Sequence, residues 1–126
     1  MWTGSWRNEY GSTLRIDREA GGRLEGRFQT ALSDSGFFGA EVPIVGVCQG
    51  DCIAFAFTRT GPAGDIVCAF TGLLREGRIH TVWHVTSDSA LRADGPGAPA
   101  RLEKLGWAHA NQTNADTFER VNDPPG

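Results

Sequence analysis

Residues 21–32 read GGRLEGRFQTAL. Leu24, Gly26, Phe28, Thr30 and Leu32 fall on one face of an extended chain, and Arg23, Glu25, Arg27 and Gln29 on the other. Period-two alternation with one charged face marks an antiparallel strand, buried on one side and wet on the other. The same reading extends outward. Upstream, residues 5–8 and 12–17 flank Gly11 and predict a hairpin. Downstream, SDSGFFGAE (33–41) reads as a loop, and EVPIVGVC (41–48) and CIAFAFTRT (52–60) as strands around Gln49-Gly50-Asp51. After the turn GPAGD come DIVCAFTGLL (65–74) and RIHTVWHVTS (78–87). In the latter Ile79, Thr81, Trp83, Val85 and Ser87 share one face, and His80, Val82 and His84 the other. Residues 88–113 break the pattern with Gly95, Pro96, Gly97 and Pro99 and predict a long loop, in which residues 102–107 form a helical turn or a lid. DTFERV (116–121) predicts the last strand and NDPPG (122–126) a flexible tail.

Eight strands joined mostly by hairpins, with no helix long enough for a βαβ unit, predict an all-β, eight-stranded antiparallel up-and-down barrel, which closes without leaving an edge. The 126 residues suit a single domain, with the barrel at about 4–121. Seventeen glycines and four tryptophans fit many turns and a rich aromatic core. A net charge of −3 and the lack of a basic run argue against a nucleic-acid partner. No apolar run approaches the roughly 20 residues of a membrane helix. The opening MWTGSW has no basic segment ahead of an apolar one, so it is not expected to be a signal peptide. Of the three cysteines, Cys48 and Cys52 flank a turn and would permit a disulfide if they faced each other. No metal site is expected, because no histidine lies near the cysteine pair. No nucleophile, base and orienting group can be assembled, so the expectation is a binding protein and not an enzyme. A barrel of this size is filled by side chains or holds one small ligand. Polar groups on its inward face are costly unless something pairs with them.

Six segments carry a resemblance. GSWRNEYGST, GRLEGRFQTA, VPIVGVCQGDCIAFAF, AFTGLL, RIHTVWHVTS and DTFERV are similar, in order and spacing, to motifs of the avidin and streptavidin family, in parts most of all to the dimeric bacterial avidins. The resemblance implies a biotin-binding barrel with no cofactor, assembled as a homo-oligomer (dimer or tetramer) and secreted or periplasmic. It implies that Asn8 and Ser12 hydrogen-bond the ureido oxygen, with Tyr10 beside them. Thr30 and Asp116 would accept from the two ureido N–H groups. Trp83 would form an aromatic wall with Val85 beside it, and Ser87 would lie near the valeryl chain. Ser33, Asp34 and Ser35 fall in the loop that would hold the carboxylate. Trp107 matches a residue that forms a lid or reaches into a neighbouring subunit's pocket.

Several positions depart from the family pattern. Phe28 stands where the family has Tyr, which removes a third donor to the ureido oxygen. Phe70 replaces a Trp. Arg59 falls in register with another pocket Trp, unless Phe57 takes that role. Ile66 and Cys68 replace small hydroxyls, and Asp34 would repel a carboxylate if it turned inward. These changes predict weaker biotin binding or a modified ligand preference. Two alternatives stay open: a lipocalin-like carrier of an apolar ligand, and an interaction barrel that has lost its ligand.

Overall fold

The computed structural model describes residues 1–31 and 39–121. Eight strands close into one antiparallel barrel: β1 Gly4–Asn8, β2 Thr13–Ala20, β3 Arg23–Gln29, β4 Glu41–Gln49, β5 Cys52–Gly61, β6 Gly64–Arg75, β7 Arg78–Ser87 and β10 Asn111–Val121. Neighbours in sequence are neighbours in space, and β10 closes the ring between β7 and β1. The two remaining strands, β8 Ser89–Arg92 and β9 Arg101–Lys104, pair only with each other.

Strand β3 shows why the chain curls this way. Leu24, Gly26 and Phe28 are buried while Arg23, Glu25, Arg27 and Gln29 are exposed. The same parity puts Leu14, Ile16, Ile44, Phe55, Ile79 and Phe118 inside, each at 2% exposure or less. Each such side chain contributes on the order of 1.5–3 kcal/mol by leaving water. Trp6 lies in this core and satisfies its indole N–H on the Trp2 carbonyl at 2.9 Å. Two glycines permit close strand approach: a Cβ on Gly26 would meet the Arg15 carbonyl, and one on Gly46 the Ala54 carbonyl.

The segment 88–113, which reads as a loop in sequence, holds more structure. Ala90 pairs with Glu103 and Leu91 with Leu102 across the β8–β9 ribbon, and Trp107–His109 form a 3-10 turn. The last strand begins at Asn111, not Asp116, because residues 111–115 pair with Thr86 to Val82 of β7. The cysteines remain free. Cys52 pairs with Gln49, one residue away from Cys48, so Cys48 faces the core and Cys52 faces out. Among the described residues no helix is long and apolar enough to cross a membrane, and no group of side chains could hold a metal ion.

Candidate functional site

The first element of the site is the β1–β2 turn. Asn8 Oδ1 accepts the backbone N–H groups of Tyr10 at 3.0 Å and Ser12 at 2.9 Å. This is the turn chemistry for which asparagine is suited. Gly11, at φ 88°, supplies the left-handed corner. With its oxygen committed to the turn, Asn8 must aim its amide nitrogen inward, where Nδ2 donates to Asp116 Oδ2 at 3.1 Å. An amide nitrogen carries two hydrogens, so one remains for a guest.

Ser12 lies across the same corner at 1% exposure. Its Oγ accepts the Ala31 N–H at 2.8 Å and lies 3.5 Å from Thr30 Oγ1. Asp116 comes from β10, held by the Asn8 amide and by the Trp83 indole, while Thr81 Oγ1 donates to its backbone carbonyl at 2.9 Å. Burial pushes the Asp116 carboxyl above the usual carboxylate range; the bonds from Trp83 and Asn8 pull the other way, and Glu9 adds a small upward push. Burial also pushes the Cys68 thiol up to about 12, helped by the charge of Asp116. That thiol is therefore protonated at neutral pH and is no nucleophile.

These groups border a cavity of about 540 Å³. Its walls are aromatic. Phe28 stacks on Phe57 at 5.3 Å, Phe70 tilts against Phe28 at 5.5 Å, and Phe55 backs Phe70 at 4.6 Å. Apolar walls with a few convergent polar groups are the pattern of a small-molecule site. Those groups offer both hydrogen-bond donors and acceptors to a guest.

Asn8, Ser12, Phe28, Thr30, Phe57, Cys68, Phe70, Trp83, Val85, Ser87 and Asp116 all border the cavity, and Arg59 and Ile66 join them. Tyr10 does not. It sits at the tip of the turn, 51% exposed, and only its backbone N–H serves the site. Nor does Trp107 border it: 79% exposed on the 3-10 turn, it offers its carbonyl to Asn111 Nδ2 at 2.9 Å. Ser33, Asp34 and Ser35 lie outside the described residues. The sequence reading missed the β5–β6 turn (Gly61–Gly64), Ser89 and Leu91 of β8, and Gln112 of the extended β10. Their only signal was a polar stretch without alternation.

The sequence model of the avidin family matches residues 1–97. No curated protein matches the chain. Solved structures similar to it include a rhizavidin–biotin complex, at 21% identity and TM-score 0.71, covering 100% of this chain and 97% of that one. A bradavidin2–biotin complex is similar at 18% identity and TM-score 0.69, covering 94% and 95%. The apo form of intact afifavidin is similar at 24% identity and TM-score 0.72, covering 99% of this chain and 85% of that one.

Proposed function

The chain belongs to the avidin family, and from that premise we propose that it binds biotin in the barrel cavity as a binding protein without catalytic activity. The observation that carries the proposal is the convergence of Asn8, Ser12, Thr30 and Asp116, all buried, on the border of one aromatic-walled cavity. In this reading the ureido oxygen takes the second Asn8 Nδ2 hydrogen and the Ser12 hydroxyl. The two ureido N–H groups go to Thr30 Oγ1 and to the Asp116 carboxylate. Phe28, Phe57, Phe70 and Trp83 pack the ring system and chain, with Val85, Cys68 and Ser87 toward the tail.

The Asp116 bond is charge-assisted and so among the stronger contacts. The turn and the Trp83 indole hold Asn8 and Asp116 in place before a ligand arrives, which lowers the ordering cost of binding. Phe28 brings no hydroxyl to the ureido oxygen, which lowers affinity relative to a barrel that has one, by about 1–3 kcal/mol. The open volume favours this reading over a barrel that has lost its ligand, since Phe28, Arg59 and Ile66 border the cavity without filling it. The polar quartet favours it over a carrier of purely apolar guests. Family membership supports a secreted or periplasmic location.

The proposal includes a homo-oligomer. On the outer wall, Val47, Ala54, Thr71 and Val82 run side by side across β4, β5, β6 and β7. Val45, Val47, Val67 and Val82 are 49–66% exposed. An apolar stripe of this kind marks an interaction surface, and light scattering reads the assembly directly.

The deciding experiment is calorimetric titration with biotin. One biotin per chain is expected. Neither heat nor thermal stabilisation at saturating biotin would overturn the reading.

A further inference from the structure

Two charged side chains border the cavity among the described residues, Asp116 and Arg59. Asp116 belongs to the buried polar cluster, at 8% exposure. Arg59 stands elsewhere on the border. It lies two residues beyond Phe57 on the same face of β5, about 7 Å farther along the strand, and close to the turn that starts at Gly61. Phe57 is buried and Arg59 exposed, so the guanidinium belongs to the solvent-facing rim.

Among the described residues, no carboxylate pairs with it. Arg59 pairs across the ladder with Ile66, and Ile66 with Ser87, so its cross-strand neighbours offer no carboxylate. Asp65 lies on the outward face of β6, and Asp88 Oδ1 accepts the Asp65 N–H at 3.0 Å. Arg59 forms no ion pair or hydrogen bond with a described residue. The cavity thus runs from a buried donor–acceptor cluster, along aromatic walls, to a cation with no partner among the described residues. A ligand that matches it carries a polar head, an apolar middle and an anionic end.

We propose that Arg59 is a specificity-determining residue that makes this barrel prefer biotin as the free acid over biotin whose carboxyl is amide-linked. The inference rests on the biotin reading above. A carboxylate at the rim meets the guanidinium in a charge-assisted bond, whereas a neutral amide offers one carbonyl oxygen and no charge.

The test compares biotin with its primary carboxamide, which keeps the size of the ligand and removes the charge, in the wild-type chain and in Arg59→Gln. The wild type is expected to bind the acid about tenfold more tightly, the lower range for a hydrogen bond to a charged group at a wet rim. Arg59→Gln is expected to erase that preference, losing more affinity for the acid than for the carboxamide. Added salt is expected to shrink the wild-type preference and leave the variant unchanged. Equal wild-type affinity for the two ligands, or a preference that survives in Arg59→Gln, would overturn the role of Arg59 and leave the biotin reading standing. Failure of the wild type to bind either ligand would overturn both.

Discussion

Replacing Asp116 with Asn changes one atom and separates folding from binding. In the empty barrel the Asp116 carboxylate receives two donors, Asn8 Nδ2 at 3.1 Å and the Trp83 indole. A bound ureido N–H would be the third. A carboxylate has about four lone-pair sites and an amide oxygen two. The amide of Asp116→Asn can therefore satisfy both protein donors, and the empty barrel should keep its stability within about 1 kcal/mol. The third donor then finds either a filled oxygen or an opposing NH2 group. One unsatisfied buried donor costs about 1–3 kcal/mol, so biotin should bind about five- to 150-fold more weakly. Titration calorimetry and thermal unfolding, run on the same preparations, read the two halves separately. A dissociation constant within twofold of wild type would refute the assignment of Asp116 as ligand acceptor. A collapse of the unliganded melting temperature would show that its role is structural.

Other consequences follow from the same geometry. The carboxyl of Asp116 is raised above its ordinary value of 3.8, so its stabilising contribution is complete below 3.8 and lost as pH rises through the raised folded-state value. The melting temperature of Asp116→Asn minus that of wild type should therefore increase as pH is raised across that window, and wild-type affinity for biotin should fall as pH drops through it; a pH-independent difference would contradict the burial argument. Phe28→Tyr places a hydroxyl in the cavity, where a restored donor should tighten biotin binding by at least about fivefold. Weaker binding with a lower melting temperature would instead report overpacking against Phe57 and Phe70. Gly26→Ala drives a methyl into the Arg15 carbonyl of β2 and should cost at least about 2 kcal/mol in urea unfolding, whereas Gly106→Ala, with open space around it, should stay within about 0.5 kcal/mol.

The barrel was legible where inward residues are apolar and outward ones charged. Strand β3 meets that condition; on β7 the alternation rests on Ile79, Trp83 and Val85 facing in, and for both strands the faces assigned from the sequence are those the structure shows. Legibility failed at strand ends that border the cavity. Gln112 faces inward on β10 but looks out on open space, so NQTNA shows no alternation and reads as loop. The β8–β9 ribbon was hidden for a related reason: β9 buries none of its residues, so no hydrophobic face announces it. Tyr10 shows a different limit. Strand parity would carry it inward with Asn8 and Ser12, but the Asn8 Oδ1 turn consumes that step of the chain and leaves Tyr10 at the corner.

A single arrangement joins these points. Period-two patterning vanishes where a strand stops burying its inward face against the core, and in a closed barrel that happens where the interior is left open for a ligand. The gaps in the pattern, at Arg59 on β5, Ser87 on β7 and Gln112 on β10, all border the one cavity, as does Asn8 at the end of β1. The buried polar side chains there are kept at no great cost to the fold because Asn8, Ser12 and Asp116 each have a fixed partner: the turn for Asn8, the Ala31 N–H for Ser12, Asn8 and Trp83 for Asp116. Arg59 at the exposed rim has no ion pair or hydrogen bond among the described residues, and it is the one cation on the cavity's described border, the feature that a ligand's own charge would complete.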